Sequence, residues 1–152
     1  MRMRCCRVMY EVMKNDNENA KLILVAEDET DTARLVQLHL ERRGWRVLLT
    51  ADGVAALDET VRSKPDLVIL DVMMPRMDGL EVCRLLKSSP QTRHIPVLML
   101  TALAELENKR EGYRCGADEY MTKPFSLREL LDRVDGLMRT RELELTSALD
   151  FP

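Results

Sequence analysis

Short runs rich in apolar residues alternate with amphipathic segments of helical length along most of the chain. A run as continuously apolar as Leu67–Leu70 predicts a strand buried on both faces, as in a parallel sheet. Strands that alternate with helices are joined by right-handed crossovers, so they all point the same way. We therefore predict an α/β fold, a doubly wound parallel sheet with the five strands Leu22–Ala26, Trp45–Thr50, Asp66–Leu70, Ile95–Leu100 and Glu119–Thr122.

Apolar positions at helical spacing predict five helices between and after these strands. Glycines such as Gly44 mark helix ends, and Ser126 with Glu129 forms a capping box at the start of the last helix. The fourth helix carries few apolar residues, so it should be the least firmly held. The predicted helices cover Asp31–Arg43, Val54–Arg62, Gly79–Ser88, Glu105–Cys115 and a last segment that ends near Arg141.

A chain of 152 residues is long enough for one well-buried domain and too short for two ordinary ones. Residues 1–20 lack periodicity and are polar towards Asn19, so we expect a disordered N-terminal extension. The periodic pattern covers residues 21–141, which form the predicted domain. Residues 142–152 should be a short C-terminal tail.

Composition excludes several classes of partner. The formal net charge of −3 gives no electrostatic reason for direct binding to nucleic acid or an anionic membrane. No apolar run approaches the roughly 20 residues needed to cross a bilayer. We therefore expect a cytoplasmic protein that binds neither nucleic acid nor membrane directly.

The four cysteines do not have the spacing of a metal site. Cys5 and Cys6 are adjacent, whereas zinc-binding pairs are separated by a few residues. Cys83 and Cys115 lie in helical patterns and are predicted to be small, buried thiols with a structural role.

Polar residues follow four of the predicted strands at their carboxyl ends. They are Glu27 and Asp28, Asp71, Thr101 and Lys123. Parallel strands end at one edge of the sheet, where open α/β sheets bind their ligands. We therefore expect three acids, one hydroxyl and one ammonium to converge there.

Three carboxylates in one pocket repel one another and raise each other's pKa unless a cation binds. Carboxylate oxygens with water suit Mg²⁺. The alternative is that one or more of these acids caps a helix, since Asp28 and Glu29 precede one. Lys123 and Thr101 have the groups needed to hold phosphoryl oxygens, and an Asp can accept a phosphoryl group as an acyl phosphate. The set favours Mg²⁺-dependent phosphoryl transfer to Asp71.

Four motifs resemble the receiver domain of two-component response regulators, over about residues 21–140. They occur in the family's order and spacing, as Leu22–Glu29, Leu70–Gly79, Leu100–Ala102 and Tyr120–Phe125. The resemblance implies the flavodoxin-like strand order 2-1-3-4-5 and a cis Lys123–Pro124 bond. It also implies that Asp71 receives the phosphoryl group from the phosphohistidine of a histidine kinase.

The resemblance further assigns roles to individual residues. Glu27, Asp28 and Asp71 would bind Mg²⁺, together with the backbone carbonyl of Met73. Thr101 and Lys123 would hold the phosphoryl oxygens. Thr101 and Tyr120 would be the switch pair, unless Tyr120 is simply a residue packed at the end of a strand.

The same resemblance predicts a phosphoacceptor rather than a classical enzyme: the domain would catalyse its own phosphorylation and slow dephosphorylation. Met73 and Leu103 stand two residues after Asp71 and Thr101, and neither can orient an attacking water. Phosphorylation should shift an existing two-state equilibrium, with the helix predicted at Glu105–Cys115 as the moving element.

The expected partners are a sensor histidine kinase or a histidine phosphotransfer protein. A homodimer through the fourth helix, fifth strand and last helix is a further expectation. Asp118, Glu119 and Arg133 would then form part of a charged face, with a solvated surface as the alternative. No output region is recognisable after Arg141, so we expect a stand-alone receiver or a receiver cut from a longer regulator.

Three rival functions use related parts. An aspartate-nucleophile phosphatase needs a second Asp two residues after the first, and Met73 occupies that position. A flavodoxin needs a phosphate-binding loop after the first strand, where Glu27 and Asp28 would repel phosphate. A degenerate receiver would lack one of the five site residues, and all five are present.

Overall fold

The structure, a computed structural model, describes residues 20–102 and 115–149. These ranges contain five strands and four α-helices, which alternate over the first part of the chain. The strands are β1 (Leu22–Ala26), β2 (Arg46–Thr50), β3 (Leu67–Asp71), β4 (Val97–Ala102) and β5 (Glu119–Lys123). The helices are α1 (Thr30–Arg42), α2 (Gly53–Ser63), α3 (Gly79–Ser88) and α4 (Leu127–Leu149).

All four strand pairings are parallel, and the order is β2-β1-β3-β4-β5. This confirms the predicted parallel sheet and its flavodoxin-like order. The register places Ala26 beside Leu70, and Asp71 beside Leu100. The carboxyl ends of β1, β3 and β4 therefore lie next to one another.

The sheet lies between two layers of helices. Val68 and Leu70 of β3 pack towards α2 and α3, whereas Leu67 and Ile69 pack towards α1 and α4. All five residues of β3 are buried. A strand covered on both faces needs apolar side chains at every position, and this explains the continuous run from which it was predicted.

Two elements differ from the prediction by more than one residue at an end. Strand β4 begins after Pro96, which has no N–H for the sheet, and it continues to Ala102 because β5 extends the ladder. Helix α4 continues through most of the predicted tail to Leu149. Among the residues whose burial is described, Met138 is the last buried one of this helix. The residues that follow include several Arg, Glu and Leu, which favour helix, and no Gly or Pro, so the helix continues.

Two predictions concern residues that are not described. The helix predicted at Glu105–Cys115 falls almost entirely on residues 103–114, and the predicted N-terminal extension falls on residues 1–19. Among the described helices, none is both long and apolar enough to cross a membrane.

Candidate functional site

Two acidic side chains are delivered to the carboxyl edge of the sheet by buried strands. Glu27 follows β1 and is buried, and its backbone N–H continues the sheet by donating to the Thr50 carbonyl at 3.0 Å. Asp71 is the last residue of β3 and is only 5% exposed. Asp28 stands beside them with an exposed side chain. Rigid strands therefore fix the positions of Glu27 and Asp71.

The backbone around Asp71 is closely packed against the start of α3. A Cβ atom on Gly79 would lie 2.2 Å from the carbonyl oxygen of Asp71, so this position has room only for glycine. The Gly79 N–H donates to the Val72 carbonyl at 2.9 Å, and Asp78 caps the helix by accepting from Glu81 N–H at 2.9 Å. Helix α3 thus supports the end of β3 from one side.

Lys123, at the end of β5, joins the two buried acids. Its ammonium donates to Asp71 Oδ2 at 2.8 Å and to Glu27 Oε2 at 2.9 Å. The side chain of Lys123 is 30% exposed, whereas those of Glu27 and Asp71 are 2% and 7% exposed. The following Lys123–Pro124 bond is cis, as predicted.

One ammonium faces three carboxylates at this edge. One carboxylate oxygen from each of Glu27, Asp28 and Asp71 lies within 4.8 Å of the other two. Burial raises the pKa of Glu27 above its ordinary value, and the nearby charge of Asp71 adds to this, although the hydrogen bond from Lys123 opposes it. Burial alone would lower the pKa of Lys123, but its hydrogen bonds to Asp71 and Glu27 raise it overall.

This donor set fits a hard divalent cation. It offers several carboxylate oxygens within reach of one ion, and the exposed Asp28 leaves one side open for water ligands. An excess of negative charge is also what such an ion would neutralise. The residues present are therefore of the kind that hold Mg²⁺.

The other predicted residues lie around this cluster. Thr101 is buried near the end of β4, where its hydroxyl donates to the Ala102 carbonyl at 3.3 Å. The Met73 N–H donates to Asp71 Oδ1 at 3.2 Å. The role of the Met73 carbonyl as a metal ligand stays a prediction. Tyr120 is half-buried in β5, and its hydroxyl lies 3.3 Å from Cys115 Sγ.

The charged residues predicted for a dimer face are divided between two places. Arg133 is paired with Glu119 and with Glu129 of its own helix. Asp118 instead accepts from Lys87 Nζ at 2.8 Å and from the backbone N–H of Val97 at 2.8 Å. Sequence reasoning missed this role for Lys87, because nothing in a helical pattern shows which lysine will turn towards a distant loop.

Several known proteins are similar to this chain in sequence. Residues 23–135 match the response regulator receiver domain. The chain is 46% identical over 128 residues to the alkaline phosphatase synthesis transcriptional regulatory protein PhoP of Bacillus subtilis (strain 168), covering 84% of this chain and 52% of PhoP. It is 43% identical over 117 residues to the DNA-binding dual master transcriptional regulator RpaA of Synechocystis sp., covering 77% of this chain and 48% of RpaA.

The chain therefore spans about half the length of the curated relatives it matches. Because RpaA is named as DNA-binding, the expectation that this protein does not bind nucleic acid directly is not confirmed.

Solved structures give the same result. The receiver domain of a Francisella response regulator superposes with a TM-score of 0.72 at 36% identity, covering 79% of this chain and 98% of that one. The receiver domain of a sensor histidine kinase from Pseudomonas aeruginosa PAO1, which has a magnesium ion coordinated in its active site cleft, superposes with a TM-score of 0.72 at 29% identity, covering 78% and 98%. With its parallel five-stranded sheet and this match over residues 23–135, the chain belongs to the response regulator receiver domains of two-component systems.

Proposed function

We propose that this chain is a phosphoacceptor whose Asp71 takes a phosphoryl group from the phosphohistidine of a sensor histidine kinase or a histidine phosphotransfer protein. One observation carries the proposal: the buried Asp71 carboxylate lies 2.8 Å from the Lys123 ammonium at a strand end where three acids meet. A carboxylate fixed by a rigid strand beside a cation is a suitable nucleophile for phosphoryl transfer.

Glu27, Asp28 and Asp71, with the carbonyl of Met73, would hold Mg²⁺. The bound ion supplies neutralisation of the phosphoryl oxygens and of the acids themselves. Support comes from the spacing of the carboxylate oxygens and from the magnesium ion in the related receiver domain from Pseudomonas aeruginosa.

Groups of the protein itself orient Asp71 before the transfer and would bind the phosphoryl oxygens after it. In the resting arrangement Asp71 Oδ2 is held by Lys123 and Oδ1 by the Met73 N–H, so the carboxylate is oriented before any donor arrives. When one Asp71 oxygen bonds to phosphorus, the Lys123 ammonium is close enough to transfer its hydrogen bond to a phosphoryl oxygen. Thr101 would exchange its present acceptor, the Ala102 carbonyl, for another phosphoryl oxygen.

These exchanges give a switch. The new contacts of Thr101 and Lys123 exist only with a phosphoryl group present, so phosphorylation stabilises one arrangement of the chain segments that follow β4 and β5. Tyr120 and the helix predicted at Glu105–Cys115 are the elements proposed to respond. The product is a changed binding surface, which makes the domain a signalling module and not a classical enzyme.

A groove beside the site is suited to a phosphodonor. It lies between the start of α1 and the segment after β5, and Lys123 itself forms part of its wall. Leu35 on α1 is 47% exposed there, and Phe125 lines the opposite side. An apolar groove that adjoins the phosphoacceptor would allow a donor helix to dock with its phosphohistidine directed at Asp71.

The test is acyl phosphate formation with a small phosphodonor. With acetyl phosphate and Mg²⁺, the protein should gain the mass of one phosphoryl group in a bond that both acid and base cleave. Asp71→Asn should abolish this gain, whereas Asp58→Asn, an exposed position on α2, should leave it unchanged. Labelling of the Asp71→Asn variant at an equally labile bond would disprove the assignment of the phosphoacceptor.

A receiver within a longer regulator is the second candidate. It is favoured because the chain spans only about half of PhoP and RpaA. In that case the switch would act on an attached output domain rather than on a separate target. An aspartate-nucleophile phosphatase is disfavoured by Met73, and we expect no hydrolysis of p-nitrophenyl phosphate.

A further inference from the structure

Two buried thiols meet between the sheet and α3. Cys83, on α3, and Cys115, just before β5, are 0% and 3% exposed, and both are free thiols. The Cys83 thiol donates to the backbone carbonyl oxygen of Cys115 at 3.6 Å. Residues 32 positions apart in the sequence are thus joined directly, and the phosphotransfer site uses neither of them.

The two thiols differ in acidity. The neighbouring Cys83 thiol lowers the pKa of the Cys115 thiol to about 6, although burial opposes this, and a hydrogen bond with Tyr120 lowers it further. The Cys115 thiol, together with burial, raises the pKa of the Cys83 thiol. Because the thiolate is the reactive form of cysteine, Cys115 is the nucleophile of the pair and Cys83 is the thiol that can resolve its oxidation product.

We propose that Cys83 and Cys115 form a modification site: a dithiol that hydrogen peroxide or another small hydroperoxide oxidises reversibly to a disulfide. The oxidant has to be small, because thiols that are 3% exposed or less are inaccessible to bulky oxidants such as glutathione disulfide. The carbonyl contact at 3.6 Å shows that the Cys83 sulfur already lies against Cys115.

The chemistry balances in two steps. The Cys115 thiolate attacks one peroxide oxygen, the O–O bond breaks, and Cys115 becomes a sulfenic acid while the other oxygen leaves as water after taking a proton. The Cys83 sulfur then loses its proton and attacks the Cys115 sulfur, which forms the S–S bond and expels hydroxide, protonated to water. Two thiols lose two electrons in total, and hydrogen peroxide is reduced to two molecules of water.

Such a bond would act on the switch. Cys115 Sγ lies 3.3 Å from the Tyr120 hydroxyl, so a disulfide would change the sulfur with which Tyr120 exchanges a hydrogen bond. It would also tie α3, which packs against the Asp71 carbonyl through Gly79, to the residue that precedes β5. This consequence, unlike the disulfide itself, rests on the proposed function of Asp71 and Tyr120.

The first experiment asks whether the disulfide forms. The full chain carrying Cys5→Ser and Cys6→Ser is treated with hydrogen peroxide, unfolded with an alkylating reagent present and digested with trypsin. We expect the mass of the intact chain to fall by two hydrogen atoms. The digest should contain one cross-linked pair of peptides, residues 77–84 joined to 115–128, which dithiothreitol separates. Recovery of both peptides fully alkylated after oxidation would overturn the proposal.

Single variants identify the nucleophile. With Cys83→Ala the Cys115 sulfenic acid has no resolving thiol, so dimedone should trap it on residues 115–128. With Cys115→Ala dimedone should leave Cys83 unlabelled. Circular dichroism verifies that each variant is folded. If either fails to fold, the cross-linked peptides of the Cys5→Ser, Cys6→Ser chain still decide the proposal.

The second experiment asks whether oxidation reaches the switch. Acetyl phosphate with Mg²⁺ labels the reduced and oxidised forms, and intact mass follows both modifications on the same molecules. We expect at least a several-fold difference in phosphorylation rate or lifetime, and equal rates and lifetimes would overturn the coupling. Asp71→Asn should still form the disulfide while losing the phosphoryl group, so failure of the proposed function and failure of the thiol proposal give different results.

Discussion

The two ends of the same sheet use carboxylates in opposite ways. At the amino end, Asp66 Oδ2 accepts from the Leu22 N–H at 2.8 Å, and Asp118 Oδ2 accepts from the Val97 N–H at 2.8 Å. Asp118 also accepts from Lys87, whose ammonium donates in addition to the carbonyls of Arg93 and Ile95. Each of these acids satisfies a backbone N–H where a strand begins, so their role is structural.

At the carboxyl end, the acids face one another. Glu27 and Asp71 share the Lys123 ammonium, and Asp28 lies beside them. The only backbone donors described for these acids are the N–H groups of Glu29 and Met73. Like charges held together by rigid strands cost stability when no cation is present. The comparison indicates that the acids at one end hold the fold together, whereas the acids of the proposed Mg²⁺ site at the other end repel one another at a cost to the fold.

The largest effect should come from the backbone behind Asp71. Gly79→Ala would place a Cβ atom 2.2 Å from the Asp71 carbonyl oxygen, and backbone on both sides cannot yield easily. We expect a loss of about 3 kcal/mol or more in the free energy of unfolding, at the upper end of overpacking costs. Urea denaturation measures it, and phosphorylation of Asp71 should fall as well.

Gly136→Ala is the matched control for that substitution. Gly136 lies within α4, and a Cβ atom added there would meet no atom within 4 Å beyond the backbone of its own helix. Alanine there should stabilise the protein by about 0.5–1 kcal/mol, because glycine weakens a helix interior. Equal effects of the two substitutions would contradict the close approach of α3 to Asp71.

The next largest effect should come from the amino end. Asp118→Ala leaves the Val97 N–H and one hydrogen of Lys87 without their acceptor. A loss of about 1–3 kcal/mol in the free energy of unfolding is expected for unsatisfied groups of this kind. Asp58→Ala, an exposed acid on α2, should change it by less than about 0.5 kcal/mol. If Asp118→Ala left the free energy of unfolding unchanged, the claim that acids at the amino end stabilise the fold would be wrong.

Removing an acid at the carboxyl end of the sheet should stabilise the protein instead of destabilising it. Without metal, Asp28→Asn relieves repulsion with Glu27 and Asp71 and should raise the free energy of unfolding by up to about 1 kcal/mol, since solvent screens this exposed group. Thermal melting with and without Mg²⁺ provides the check. Wild type should gain melting temperature from Mg²⁺ and the Asn variant should gain much less; an Asn variant less stable than wild type without metal would contradict repulsion.

The smallest effect should be a change in the pH dependence of Mg²⁺ binding. The pKa of Glu27 is raised above 4.5 by burial, so protons compete with Mg²⁺ at a higher pH than for an ordinary Glu. A raised pKa means that folding favours the protonated Glu27 carboxyl. The contribution of Glu27 to the free energy of unfolding is therefore fully present below pH 4.5 and is lost as the pH rises through the raised pKa. Mg²⁺ affinity should therefore fall on acidification before pH 4.5 is reached.

Isothermal titration calorimetry between neutral and mildly acidic pH tests this prediction. Glu27→Gln cannot titrate, so its Mg²⁺ affinity should be weaker and should vary less with pH. The comparison uses pH values at which circular dichroism shows both proteins folded. A Gln variant with the same pH dependence as wild type would mean that Glu27 is not the group in competition.

Sequence patterns were sufficient for the strands and for the set of acids. Buried strands such as Leu67–Leu70 are visible because both faces require apolar residues. The exact ends were harder, because the end of β4 depends on pairing with β5, and the end of α4 on local propensity beyond its core contacts. The partners of Lys87 and Cys83 could not be predicted from the sequence, because they lie on distant segments that come close only when the chain folds.

By itself, the sequence determined the parallel sheet, its helical layers and the residue types at the carboxyl ends of the strands. Hydrophobic periodicity is a local property, and the alternation of strands with helices makes the strands parallel. Only the tertiary structure decided that Lys123 bridges Asp71 and Glu27, that Gly79 packs against the Asp71 backbone, and that Cys83 meets Cys115. These contacts depend on distances between side chains on different elements, and such distances are fixed only when helices and strands pack around one core.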